Sequence, residues 1–211
     1  MKQFKVYIFL LFLLNLFVFY SCSDKESDPR IKKIEELSLQ GEYESSNALG
    51  REVLQKHPNQ SSVLATMSDN FRYLDEEDSS LFYLEKAIKL DSSWANLHNN
   101  RGMILQNKNM HEEAIKAFNK TLQLDPTNAY AYNNLGYSKL LLGQFKDGMK
   151  DVLKSEELDD DNAYVYRNKA IFYEKTGKLA SACKWLQKAY GKRFYDQIEN
   201  QIEFIELRVC K

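Results

Sequence analysis

The sequence predicts an all-α protein, a solenoid of helix–turn–helix repeats, on three observations. Small residues recur every 34 positions, at Ser46, Ser80, Ala114, Gly148 and Ala182. Gly102 and Gly136 keep the same step, as do Gly143 and Gly177, while Pro58 and Pro126 stand two steps apart. Apolar residues follow each small residue at the spacing of one helix face rather than the alternation of a strand. A fixed period between about 20 and 50 residues marks a repeat architecture, and 34 is the period of a helix–turn–helix unit.

Counting from Ser27, Ser61, Ala95, Ala129 and Ala163 divides the chain into five repeats, 27–60, 61–94, 95–128, 129–162 and 163–192. The recurrent small residue then falls at repeat position 20, early in the second helix of each pair. Position 8, in the first helix, holds Ser68, Gly102, Gly136 and Ala170. Small residues opposite small residues let two helices approach to about 8–10 Å. Apolar residues fill position 24 (Leu84, Phe118, Val152, Leu186) and position 30 (Leu90, Leu124, Leu158), a spacing that belongs to one face of a helix and not to a strand. Position 15, between the helices, carries Gly41, Asn109, Gly143 and Gly177. Gly and Asn readily take the left-handed conformation that ends a helix. Pro29, Pro58 and Pro126 all fall at expected boundaries, where a missing N–H does no harm.

The segments "NNRGMILQNKNMHEEAIKAFNKTLQLDP" and "NNLGYSKLLLGQFKDGMKDVLKSEELD" resemble tetratricopeptide (TPR) repeats. The resemblance runs over residues 27–192 and implies a right-handed TPR solenoid. Repeat two departs from the pattern, with Asp75 and Glu77 where Gly and an aromatic are usual. Repeat one keeps Gly41, Tyr43 and Pro58 but places Ile34 and Gly50 unusually. Terminal repeats of a stack are commonly atypical because they cap it. After repeat five, Tyr195, Ile198, Ile202, Ile205 and Val209 step by three and four, which predicts an amphipathic capping helix over 193–211.

The N-terminus reads as a leader over residues 1–21. Lys2 and Lys5 precede an apolar run from Val6 to Tyr20, too short for the roughly 20 residues of a spanning helix. Ser21 before Cys22 resembles the lipobox of bacterial lipoproteins, with Phe19 where Leu is usual. That resemblance implies that Cys22 becomes the acylated mature N-terminus. Two or more buried chains anchor a protein stably where one does not. Residues 22–30 then form a polar tether. Its Ser23-Asp24-Lys25-Glu26 resembles a surface-export signal of some Gram-negative lipoproteins, or serves as a solvated linker. The expected location is the Gram-negative envelope, at the outer membrane, with exposure at the cell surface as its extension. In that oxidising compartment Cys183 and Cys210 are candidates for a disulfide closing the capping helix onto repeat five; two separate thiols are the alternative.

Composition and motifs exclude several functions. The formal charge of −1, moving to −3 when Lys2 and Lys5 leave with the leader, gives no reason to expect nucleic acid. Basic pairs such as Lys32-Lys33 read as solvated helix faces. The three histidines, His57, His98 and His111, form no metal motif, because His111 lacks a second His four residues on. No phosphate loop or nucleophile elbow is present. Glu112-Glu113 and Asp159-Asp160-Asp161 suit helix ends. Neither catalysis nor a cofactor is expected.

The TPR resemblance implies a concave groove lined by positions 2, 5, 9 and 12 of the first helices. These are Asn96, Asn99, Met103 and Gln106, then Tyr130, Asn133, Tyr137 and Leu140, then Tyr164, Arg167, Ile171 and Glu174. Amides can pair with the backbone of an extended peptide, and tyrosines give rigid contact area with a polar tip. Asn100, Asn134 and Asn168 at position 6 read as ties between repeats. The carboxylate clamp of chaperone-binding TPRs is not matched: Ala65 and Asn99 stand where its Lys would be, Asp69 and Met103 where its Asn would be. The reading is a lipid-anchored scaffold that binds a protein or peptide segment. Its alternatives are a pilotin-like assembly factor for an envelope machine and a structural lipoprotein without a peptide ligand.

Overall fold

The computed structural model describes residues 28–190 and Cys210. The leader 1–21, Cys22 and the expected capping helix, apart from Cys210, lie outside the described residues. Ten helices follow one another, and no strand occurs among the described residues. They are α1 (Arg30–Leu39), α2 (Tyr43–Lys56), α3 (Ser61–Tyr73), α4 (Glu77–Leu90), α5 (Ala95–Asn107), α6 (His111–Leu124), α7 (Ala129–Leu141), α8 (Phe145–Leu158), α9 (Ala163–Lys175) and α10 (Leu179–Tyr190). The chain divides into two compact units, the first ending at Pro58 and the second beginning at Asn59.

The first unit is the hairpin α1–α2. Ile34 and Val53 are fully buried, and Ser46 Oγ donates to the Ile34 carbonyl at 2.8 Å. The end of the expected tether is already structured. Asp28 accepts from Arg30 Nε at 2.9 Å and from Nη2 at 2.6 Å, and Arg30 opens α1. The guanidinium's hydrogen bonds hold the Asp28 carboxyl down at about 2.

The second unit packs α3 on α4, α5 on α6, α7 on α8 and α9 on α10, and each pair meets the next through α4–α5, α6–α7 and α8–α9. The first helices also touch one another, α5 with α7 and α7 with α9. Each helix pair is an antiparallel hairpin, and its turn has one geometry in all five pairs among the described residues. The position-15 residue takes positive φ: Gly41, Asp75, Asn109, Gly143 and Gly177 lie between 58° and 79°. The next N–H bonds five residues back, as Gln144 to the Lys139 carbonyl at 2.9 Å and Met110 to that of Leu105 at 2.8 Å. This double-bonded C-terminal motif satisfies carbonyls that the helix end leaves open. Asp75 adopts it too, because Asp is among the few non-Gly residues that tolerate the left-handed region.

In repeat four, positions 8 and 20 bring the two helix backbones into contact. A Cβ added at Gly148 would lie 2.8 Å from the Gly136 carbonyl oxygen, and one at Gly136 would lie 2.8 Å from that of Gly148. In repeat two the same contact is hydrogen-bonded, Ser80 Oγ donating to the Ser68 carbonyl at 2.8 Å. Position 24 is fully buried in Leu84, Phe118, Val152 and Leu186. Position 30 differs from expectation. Leu90, Leu124 and Leu158 are exposed, because they close the last turn of each second helix, beyond its contact with the first.

Gly148→Ala should therefore destabilise the fold by about 1–3 kcal/mol in denaturant unfolding, since overpacking against backbone outweighs the better helix propensity of Ala, roughly 1 kcal/mol. An unchanged midpoint would show that the helices can separate without penalty.

Candidate partner groove

The first helices α5, α7 and α9 bring the expected groove positions onto adjoining turns, but at three depths of burial. Asn96 and Tyr130 are exposed, Tyr130 at 46%. Asn99, Met103, Tyr137 and Tyr164 are half-buried. Asn133, at 1% exposure, and Arg167, at 6%, are buried, as are Leu140 and Ile171. The expectation that all of these line an open face is thus corrected. Asn133 and Arg167 belong to a network beneath it.

That network starts at Asn168, fully buried on α9. Its Nδ2 donates to Asn133 Oδ1 at 2.8 Å and to the Asn133 carbonyl at 3.2 Å, joining α9 to α7. Its Oδ1 accepts from Arg167 Nη2 at 2.9 Å and from Nε at 3.1 Å. The guanidinium carbon lies 4.5 Å from the Tyr137 ring centre and 5.4 Å from that of Tyr164. Arg167 is held between amide and aromatic faces, with the negative ring faces attracting the cation. Burial lowers its pKa, opposed by the two tyrosines; burial also raises that of Tyr164. Two tyrosines from neighbouring repeats are therefore fixed by one arginine.

Similar ties join the other repeats. Asn100 Nδ2 donates to Asp69 Oδ1 at 2.8 Å, and Gln106 Nε2 donates to Ser138 Oγ at 2.7 Å and to the Asn134 carbonyl at 3.0 Å. Gln106 thus serves a neighbouring repeat. Asn99 differs: its Nδ2 reaches Met103 Sδ at 3.5 Å, but its buried Oδ1 has no hydrogen-bond partner. The histidines are structural in setting. His98 Nε2 lies 3.0 Å from the Ser92 carbonyl, and His111 meets Tyr137 edge-on at 6.4 Å. Among the described residues no three His, Cys, Asp or Glu side chains gather as a metal would need. No helix among them is long and apolar enough to cross a membrane.

The sequence reading missed the Tyr137–Arg167–Tyr164 stack. Its signal is position 9 of one repeat followed by positions 2 and 5 of the next, a combination visible only once first helices are known to touch.

The comparisons agree with this architecture. Tetratricopeptide repeat models match residues 95–128 and 117–149. Comparison with the curated proteins gives no match. Among solved structures, the chain is similar to PilW, a widely conserved type IV pilus biogenesis factor, with TM-score 0.71, 20% identity, 80% of this chain and 78% of that chain covered. It is similar to YrrB, a TPR protein with an unusual peptide-binding site, with TM-score 0.66, 17% identity, and 79% and 86% covered. It is also similar to PilF of Pseudomonas aeruginosa, with TM-score 0.64, 22% identity, and 74% and 72% covered. The two repeat models together cover residues 95–149, and the protein has the TPR solenoid fold.

Cys183 on α10 and Cys210 are joined by a disulfide that spans 27 residues, and both pack on the core of repeat five with Ala182 and Leu186. A loop of this length contributes about 3 kcal/mol when closed. Cys210→Ser should lower stability by roughly that amount, and the non-reduced mature protein should show no thiol reactive to alkylation. Alkylation of both cysteines without reductant would refute the bridge.

Proposed function

We propose that the chain is a lipid-anchored TPR scaffold of the Gram-negative envelope that holds an extended protein segment against α5, α7 and α9. The observation that carries the reading is the pair Tyr137 and Tyr164, half-buried and locked by Arg167. Rigid aromatics with polar tips bind with little loss of side-chain freedom. Tyr130 and Asn96 add exposed contact beside them.

A second reading has its own support. PilW is a type IV pilus biogenesis factor, and PilF of Pseudomonas aeruginosa has the same fold, so an assembly factor or pilotin-like role is the particular form of scaffold that these similarities favour. A structural lipoprotein without a peptide ligand is the contrary case.

The groove is tested by cross-linking in intact cells, followed by identification of the captured chains. Replacing Tyr130 and Tyr164 together by Ala should reduce capture about tenfold or more, since buried aromatics commonly dominate an interface. The unfolding midpoint should fall far less than capture. Equal capture by variant and wild type would count against the groove, and no captured protein at all would favour the structural reading. The anchor is tested separately. Full-length protein should incorporate radiolabelled palmitate and fractionate with membranes, and Cys22→Ala should lose the label; label retained in that variant would exclude Cys22 as the acylated residue.

A further inference from the structure

The second helices carry a feature that partner binding in the groove does not use. Positions 22 and 26 are both lysine in three successive repeats: Lys116 and Lys120 on α6, Lys150 and Lys154 on α8, Lys184 and Lys188 on α10. Residues four apart share one helix face. At 100° per residue, this face lies about half a turn from positions 20 and 24, which are buried against the first helices. Five of the six lysines are exposed and Lys154 is half-buried. Position 25, between them, is Asn119, Leu153 and Gln187, so no acid interrupts the ladder there. Carboxylates stand beside it: Glu112 four residues before Lys116, Asp147 three before Lys150, and Glu157, which pairs with Lys154 at 3.0 Å. Repeat two breaks the pattern: Phe82 takes position 22, and Asp78 and Glu85 share its face. Lys188 lies over the rings of Tyr166 and Trp185, at 4.5 and 5.2 Å, and the other five lysines place cations on the outward side of three neighbouring second helices in a protein of formal charge −1.

We propose that this lysine face lies against an anionic phospholipid surface. Lysine is depleted from protein–protein interfaces, whereas a plane of phosphate headgroups accepts many separate lysine contacts. Leu153, 49% exposed amid Lys150 and Lys154, supplies an apolar side chain of the kind that enters the headgroup boundary. Long lysine stems keep their ammonium groups at headgroup level while their methylenes lie lower. The face rests on the envelope location proposed above, and the lipid fixes the protein to the membrane while the lysines set which side faces it. The first-helix groove then points away from the bilayer, toward a partner.

The test uses the mature chain from residue 22 with Cys22→Ser, made without the leader, so that binding cannot come from acylation. Vesicles of phosphatidylcholine alone are compared with vesicles containing phosphatidylglycerol, by flotation at low and high salt. The protein should float with the anionic vesicles only, and salt at about 1 M should release it as charge is screened. Lys116→Ala, Lys150→Ala and Lys184→Ala together should weaken partition by roughly fivefold for each lysine removed, with the far-ultraviolet spectrum and unfolding midpoint unchanged. Lys32→Ala with Lys33→Ala on α1 should bind like wild type. Absence of flotation, equal flotation with both vesicles, or an unaffected triple variant would each overturn the proposal. None of these outcomes bears on acylation, which the Cys22 labelling decides alone.

Discussion

The close approach of two helices at positions 8 and 20 is the constraint on which the other features depend. Gly136 against Gly148 leaves no room for a Cβ on either helix, and Ser80 against Ser68 fills the same space with a hydrogen bond. With this contact made, position 24 is carried into the core, where Phe118 and its counterparts are fully buried. The contact also turns positions 22 and 26 outward, and brings the first helices of repeats three to five against one another. Removing a side chain at one point thus determines which residues are core, which are groove and which are surface.

The turn supports the same geometry from the other end. A left-handed residue at position 15, followed by the bond from position 16 back to position 11, reverses the chain within two residues. Three different residue types do this, Gly, Asn and Asp, which shows that the turn bonds and the helix packing outweigh the intrinsic preference of any one of them.

Much of this was legible in the sequence because helix–helix contact imposes residue size, and size is written directly in the code. The 34-residue step located the small residues, the turn residues and the position-24 core. What could not be read was whatever depends on partners from a different repeat. Asn133 and Arg167 occupy groove positions by spacing, yet both are buried, since Asn168 reaches across from α9 and two tyrosines close over the guanidinium. Position 30 was apolar and periodic, and still exposed, because its place in the last helical turn outweighs its pattern. The asparagines at position 6 were legible as ties, while the atoms that they reach were not: Asn100 finds a carboxylate and Asn168 an amide.

The buried polar layer beneath the groove has a consequence for binding. Burying Arg167 is costly unless its donors are met, and a tie made of hydrogen bonds has fewer alternative arrangements than one made of apolar contacts. The Asn133–Asn168–Arg167 chain therefore fixes α7 against α9 in a particular register, and Tyr137 and Tyr164 are placed by it rather than by their own rotamer preferences. A segment bound there, as proposed, would meet side chains that are already ordered and so lose less conformational freedom on association. The exposed residues Asn96 and Tyr130 lie outside this network and remain adjustable. The groove thereby joins a rigid centre on repeats four and five to adaptable positions at Asn96 of repeat three and Tyr130 of repeat four.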